Sequence, residues 1–66
     1  MQLTINGHSK HFADSMTIED MVKEVGADVT QIAVEQNRVI IPRSQFAATQ
    51  LRDGDTIELV EFVGGG

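Results

Sequence analysis

The chain has 66 residues, no cysteine and a formal net charge of −5 at pH 7. A chain of this length forms one small domain, and its negative charge repels the phosphates of nucleic acids and of anionic membranes, so neither is an expected partner. Without cysteine there is no disulfide, iron–sulfur cluster or thiol nucleophile, and the sequence shows neither a membrane-spanning run nor a signal-peptide pattern. We therefore expect a cytoplasmic monomer.

The first predicted elements are a β-hairpin and a helix. Residues 1–6 alternate apolar and polar side chains, and Asn6-Gly7 is a strong hairpin signal because both positions accept a positive φ. Residues 8–12 supply the return strand. Thr17 can then cap a short amphipathic helix, which Gly26 ends in a left-handed conformation. A helix of two turns is too short to be stable alone, so we expect it to lie across a sheet.

A second hairpin follows the helix. Ile32 and Val34 are predicted to face inward from a third strand, because alternate side chains of a strand share a face. Asn37-Arg38 is predicted to form a tight turn, although arginine adopts a positive φ less readily than glycine. Residues 39–41 form a short fourth strand that ends at Pro42, which has no N–H to donate to a neighbouring strand.

The last part of the chain completes an α+β fold. Ser44 is predicted to cap a single helical turn, and residues 56–62 have the pattern of a fifth strand. The order ββαββ-β fits a mixed five-stranded sheet with one main helix on one face, provided that the last strand lies between the two hairpins. This order resembles the β-grasp, or ubiquitin-like, fold. We assign residues 1–63 to the β-grasp domain and residues 64–66 to a flexible functional tail.

The two faces of the final strand have different expected roles. Ile57 is assigned to the helix side of the sheet, so Val60 and Phe62, which have the opposite parity, fall on the uncovered side. An exposed apolar pair there, followed by Val63 and bordered by Glu58, is a candidate partner-binding surface. A β-bulge that turns Val60 or Phe62 back into the core is the alternative.

Three glycines, Gly64, Gly65 and Gly66, close the sequence. Glycine weakens a strand, so this run has a poor structural explanation. It suits chemistry at the C-terminal carboxylate of Gly66, because a tail without Cβ atoms can enter a narrow tunnel in another protein and leave its carbonyl carbon accessible to a nucleophile. A frayed terminus without a function is the alternative.

No other residues in the sequence form a convincing catalytic or metal site. His8 and His11 stand at odd spacing on one strand, so their side chains point to opposite faces and cannot chelate one metal ion. Asp53 and Asp55 belong to a turn signal and are assigned to turn formation rather than acid/base chemistry. We therefore predict that the chain is not an enzyme, binds no metal or cofactor itself and is acted on by partner enzymes.

Several short motifs together resemble the ThiS family, the sulfur carriers of thiamine biosynthesis. These motifs are the Asn6-Gly7 hairpin, Thr17-Ile18 at the helix start, Ile32-Ala33-Val34-Glu35 before an asparagine turn, Ile41-Pro42-Arg43, Asp53-Gly54-Asp55, and the closing Glu61-Phe62-Val63-Gly64-Gly65-Gly66. The resemblance covers nearly the whole chain. Asn37-Arg38 departs from it, because Asn-Gly is usual in that turn.

The resemblance implies a protein cosubstrate whose Gly66 carries the chemistry. An adenylyltransferase of ThiF type, similar to the ubiquitin-activating enzymes, would use ATP to adenylate the Gly66 carboxylate. Sulfur from a cysteine desulfurase or a related donor would then attack the carbonyl and give a terminal thiocarboxylate, which thiazole synthase (ThiG type) would use. Gly64 and Gly65 would provide access, and Phe62 with Val60 would dock the partners.

Three other functions stay open at this point. A small subunit of molybdopterin synthase would share the fold, the tail and the chemistry. A protein modifier of ubiquitin type would join Gly66 to lysines of other proteins. A binding module of the same fold would need no free glycine end.

Overall fold

The structure, a computed structural model, describes residues 1–62. The sheet strands are β1 (Gln2–Ile5), β2 (His8–His11), β3 (Ile32–Gln36), β4 (Val39–Ile41) and β5 (Thr56–Glu61). The α-helix is α1 (Ile18–Glu24), and two single turns of 3₁₀ helix cover Val29–Gln31 and Arg43–Gln45. Within the described range, no helix is long and apolar enough to cross a membrane.

The strands form one mixed sheet in the order β2-β1-β5-β3-β4. The pair β1–β5 is parallel, whereas β1–β2, β3–β4 and β3–β5 are antiparallel. The final strand therefore lies between the two hairpins, as predicted. One helix beside a five-stranded mixed sheet of this order is the β-grasp arrangement, which confirms the predicted fold class.

Both hairpin turns place asparagine at a positive φ. Asn6 has φ 50° and is followed by Gly7 at 82°, whereas Asn37 has φ 51° and is followed by Arg38 at 70°. Positive φ at both central positions gives a turn whose twist matches the strands that it joins. Arg38 has a Cβ, so a positive φ is less favourable for it than for glycine. It nevertheless adopts this conformation, and the second turn forms.

Helix α1 is fixed at both ends by local interactions. The Thr17 hydroxyl accepts a hydrogen bond from the Asp20 N–H at 3.1 Å, and the Asp20 carboxylate accepts one from the Thr17 N–H at 3.1 Å. This reciprocal capping box satisfies two N–H groups that have no partner inside the helix. Gly26 follows the last turn at φ 82°, as the C-terminal signal predicted.

The core lies between α1 and one face of the sheet. The most deeply buried large side chains are Phe46, Leu3, Ile18, Met21, Ile57, Val22 and Val34. The second 3₁₀ turn directs Phe46 into the core, but the prediction that Ser44 caps this turn is wrong. Pro42 occupies the N-cap position, and no side chain provides a capping hydrogen bond.

A buried carboxylate connects the second hairpin with the turn that precedes β5. The Asp55 side chain is only 8% exposed, and it accepts hydrogen bonds from the Asn37 side chain at 2.9 Å, the Arg52 N–H at 2.9 Å and the Gln36 side chain at 3.0 Å. Burial raises the pKa of Asp55, but the bonds from Asn37, Arg52 and Gln36 outweigh burial and hold the pKa below its ordinary value. The interpretation of Asp55 as a structural residue is therefore supported.

Replacing Asp55 by Asn is expected to lower the free energy of unfolding at pH 7 by about 1–3 kcal/mol, because three donors lose their charged acceptor. In this variant the free energy of unfolding should also fall less steeply as the pH is lowered. The depressed pKa means that the carboxylate contributes stability above its unfolded pKa of about 3.9, and that this contribution is lost as pH falls through the lower folded pKa. Urea unfolding between about pH 6 and pH 2 measures both effects.

Glu24→Gln is the control for this comparison, since it removes one negative charge from an exposed position on α1. It should leave the stability at pH 7 and the acid slope near those of the unchanged chain. An acid slope that is the same in Asp55→Asn as in the unchanged chain would contradict the role assigned to Asp55.

Candidate functional site

Strand β5 has one face in the core and one open face, and in the sequence it comes shortly before the three glycines. Ile57 is fully buried, whereas Val60 is 57% and Phe62 is 56% exposed. The predicted parity of this strand is therefore confirmed, and no bulge returns Val60 or Phe62 to the core. The role of these two side chains in partner binding stays a prediction.

Apolar side chains from three strands meet on the face of the sheet opposite α1. Val60 of β5 stands directly opposite Ala33 of β3, and Ile40 of β4, which is 73% exposed, stands opposite Glu35. Between them lies a shallow, mostly apolar depression of about 100 Å³ lined by Ala33, Val34, Glu35, Ile40, Glu58 and Val60. We call the surface made of Ala33, Ile40, Val60 and Phe62 the outer patch.

Ile40 and Ala33 extend the surface that the sequence indicated. Ile40 lies in a run of three β-branched residues, Val39–Ile41, in which apolar alternation gives no sign of which face is open. Pairing with β3 resolves this, because Ile41 is opposite the buried Val34 and Ile40 is opposite the outward Glu35. The register of β4 against β3, and not the residue pattern of β4 itself, therefore places Ile40 in the outer patch.

Two carboxylates stand side by side at the border of the outer patch. Glu35 of β3 and Glu58 of β5 are direct partners in the antiparallel register, and both line the apolar depression. Like charges at directly opposed positions destabilise a sheet. An apolar surface edged by two negative charges is complementary to a partner surface that is apolar and basic.

Backbone hydrogen bonds hold β5 up to the last described residue. The Phe62 N–H donates to the Gln31 carbonyl at 2.7 Å, which continues the pairing with β3 beyond Glu61. The turn that presents Gln31 is in turn held by Arg43, whose guanidinium donates to the carbonyls of Val29 at 3.0 Å and Thr30 at 2.8 Å. Arg43 of the Ile41-Pro42-Arg43 motif therefore supports the turn to which Phe62, the last described residue, is bonded.

Val63, the last residue assigned to the domain, and the predicted tail residues Gly64, Gly65 and Gly66 lie outside the described residues. Their roles in docking, access and chemistry stay predictions. The histidines that the sequence analysis set aside, His8 and His11, are both exposed on the edge strand β2. Asp53 accepts a hydrogen bond from the Gln2 N–H at 2.7 Å, so it ties a turn to β1, as a turn former would.

Comparisons with known proteins agree on one family. The model of the ThiS family matches residues 3–66. The sulfur carrier protein ThiS of Bacillus subtilis is 37% identical over 65 residues, which are 97% of this chain and 98% of that protein. A crystal structure of a thiamine biosynthesis protein (ThiS) from Geobacter metallireducens superposes with a TM-score of 0.85 at 33% identity, with complete coverage of both chains.

A second kind of relative is much longer than this chain. A protein named thiazole synthase from Paramagnetospirillum magneticum is 46% identical over 66 residues, which are 100% of this chain but 20% of that protein. Another thiazole synthase, from Magnetococcus marinus, is 32% identical over the same share. The chain thus spans about a fifth of the length of these two relatives.

Replacing Glu58 by Gln is expected to raise the free energy of unfolding by about 0.2–1 kcal/mol, because it removes the repulsion between carboxylates on β3 and β5. The gain should shrink in about 1 M salt, which screens exposed charges. Thermal or urea unfolding at low and high salt measures it.

Glu35→Gln and the double variant complete this test as a cycle. Once either carboxylate is neutral, the second substitution should add little or no further stability. Additive gains from the two substitutions would show that Glu35 and Glu58 do not interact and would contradict the charge pair.

Proposed function

The chain belongs to the ThiS family, and from this premise we propose that it is a sulfur carrier in thiamine biosynthesis whose reactive group is the C-terminal carboxylate of Gly66. The observation that carries the proposal is that a strand bonded on both sides is followed, after Phe62 and Val63, by a three-glycine sequence. That strand also carries the exposed Val60, and the exposed Phe62 follows its last residue. The relatives named sulfur carrier protein ThiS, from Bacillus subtilis and Escherichia coli, align over nearly their entire length.

The proposed chemistry begins with activation of Gly66 by a partner. A carboxylate is a poor acyl electrophile because oxide would have to leave. An adenylyltransferase of ThiF type, which binds the ATP, would let a carboxylate oxygen attack the α-phosphorus and release pyrophosphate. A cysteine desulfurase or a related donor would supply sulfur as a protein-bound persulfide, whose terminal sulfur would attack the carbonyl carbon with AMP as the leaving group. A thiol reductant would then cleave the sulfur–sulfur bond of the resulting acyl disulfide, which leaves a terminal thiocarboxylate.

The chain acts in this scheme as a cosubstrate rather than as an enzyme. Gly65 and Gly64 let the end of the chain enter the active site of each partner, because glycine presents no Cβ. Val60, Phe62 and Val63 provide apolar contact, and Glu58 adds charge complementarity to a basic partner surface. Because the scheme consumes ATP, we place the carrier in the cytoplasm together with its partners.

Thiazole synthase is the proposed acceptor of the sulfur. Two proteins of that name contain a segment that aligns with this entire chain. A carrier sequence inside a protein with the acceptor's name supports a functional link between the two activities.

Incubating the chain with ATP, a ThiF-type enzyme, a cysteine desulfurase, cysteine and a thiol reductant is expected to raise its intact mass by the difference between sulfur and oxygen. A variant without Gly66, and a variant with one alanine added after Gly66, are the controls. Neither should gain this mass, because neither presents a glycine carboxylate at the correct distance from the domain.

The products separate the rival functions. Covalent adducts with lysines of other proteins, in place of the sulfur gain, would support a modifier. No change in mass with a partner that charges a known ThiS protein would overturn the carrier function. Thiazole formation by thiazole synthase from the isolated thiocarboxylate form, and not from the untreated chain, would connect the carrier to thiamine.

Replacing Phe62 by Ser is expected to leave the unfolding free energy within about 0.5 kcal/mol, since an exposed side chain contributes little to stability. Binding to the adenylyltransferase should weaken about tenfold or more, as for an apolar residue in the centre of an interface. Calorimetric titration measures the dissociation constant.

Val39→Ser is the matched control for Phe62→Ser. Val39 is also exposed, at 60%, but lies on the edge strand β4 and not in the outer patch. Equal losses of affinity in the two variants would show that general surface hydrophobicity, and not the outer patch, determines docking.

A further inference from the structure

Two asparagines hold β5, one near each end. Asn37 accepts a hydrogen bond from the Thr56 N–H at 2.9 Å, at the start of the strand. Asn6 accepts one from the Leu59 N–H at 2.8 Å and donates one to the Leu59 carbonyl at 3.2 Å, close to the point where the tail begins. Both asparagines lie in hairpin turns at nearly the same φ, 51° and 50°.

Asn6 extends the pairing of β5 beyond the end of β1. The parallel ladder consists of Thr4 with Thr56 and Ile5 with Ile57, and the Asn6 N–H adds a bond to the Ile57 carbonyl at 2.9 Å. Past that point the chain turns away from β5 at the hairpin. The Asn6 side chain then takes both backbone groups of Leu59, as the next residue of a neighbouring strand would do.

Few residue types can both adopt a positive φ at position 6 and form the two side-chain hydrogen bonds to Leu59. The positive φ of Asn6 is best tolerated by glycine, asparagine and aspartate. Among these, only asparagine has a side chain that donates to a carbonyl and accepts from an N–H at the same time. The turn signal of the sequence is therefore also the residue that holds β5 before the tail.

We propose that Asn6 is a positioning residue for the reaction at the C-terminus, which fixes residues 59–62 before a partner binds. This inference rests on the proposed carrier function. Leu59 stands opposite Val34 of β3 in the antiparallel register, its own N–H and carbonyl are bonded to the Asn6 side chain, and the Phe62 N–H is bonded to Gln31. A segment that is already ordered has less freedom to lose on docking, so partners bind it more tightly.

The two turns supply a matched pair of variants. Asn6→Gly and Asn37→Gly each keep a turn that accepts a positive φ, and each removes side-chain bonds to β5. Both should unfold more easily than the unchanged chain. The two variants release different ends of β5. Asn6→Gly removes the bonds to Leu59, towards the end that precedes the tail. Asn37→Gly removes the bond to Thr56 at the start of the strand, and also the contact with Asp55.

The test measures pyrophosphate release by a ThiF-type adenylyltransferase with each variant as the varied substrate, at a temperature where circular dichroism shows all of them folded. Asn6→Gly is expected to raise KM for the carrier about tenfold, the equivalent of one or two net hydrogen bonds, with kcat changed less than about twofold. Asn37→Gly should change KM less than about twofold.

Amide hydrogen exchange of the free chain gives a readout that needs no partner. In Asn6→Gly, exchange of the Leu59 N–H should become faster by about tenfold or more relative to any change at the N–H of Val34. Val34 serves as the reference because it is a core position of β3. In Asn37→Gly the acceleration should be greatest at Thr56. Asn6→Asp, which keeps a turn-compatible residue and the acceptor for the Leu59 N–H, is the milder variant and should raise KM less than Asn6→Gly does.

The outcomes distinguish failure of the inference from failure of the proposed function. An increase in KM for Asn6→Gly but not for Asn37→Gly, together with faster amide exchange at Leu59, supports the positioning role of Asn6. Equal increases in KM for Asn6→Gly and Asn37→Gly, or fast exchange at Leu59 without any change in KM, would overturn positioning while the carrier function stands. An unchanged chain that no adenylyltransferase activates would overturn the carrier function and the positioning role with it.

Discussion

The structure depends on the insertion of the last strand into the middle of the sheet. β5 pairs in parallel with β1 and in antiparallel with β3, so it joins two hairpins that otherwise share no ladder. Ile57 on its inner face is fully buried in the core. Because a central strand is bonded on both sides, the segment that delivers the tail belongs to the best-supported part of the sheet and not to its edge.

The outer face of the same strand, together with Phe62 just beyond its end, has features that lower stability. Glu58 stands against Glu35, and Val60 and Phe62 are more than half exposed. A small domain has little core to offset such costs. A surface that combines exposed apolar groups with paired like charges is better explained by complementarity to a partner than by folding, because folding alone would favour polar and oppositely charged residues at these positions.

Local patterns predicted most of the fold, whereas contacts between distant residues decided the rest. Asn6-Gly7 and the Thr17 capping box depend on neighbours a few residues away, so the sequence shows them directly. The bonds of Asn6 to Leu59 connect positions 53 residues apart, and no local pattern contains them. The same is true of Ile40, whose outward direction follows from its register with β3, and of the 3₁₀ turn at Val29–Gln31, which Arg43 holds from beyond β4.

Order in the segment before the tail matters because glycine loses more conformational entropy on ordering than other residues do. Fixing a backbone costs about 1–2 kcal/mol per residue, and glycine is at the upper end, so a three-glycine tail that enters a partner's active site opposes binding by several kcal/mol. If residues 59–62 also had to be ordered, the opposing term would roughly double. In the proposed reaction, holding Leu59 through Asn6 and Phe62 through Gln31 would confine this entropic cost to the residues that enter the partner's active site. Under this proposal the outer patch would have to offset only the entropic cost of ordering the tail, and binding could be specific and still weak enough for the carrier to move from one partner to the next.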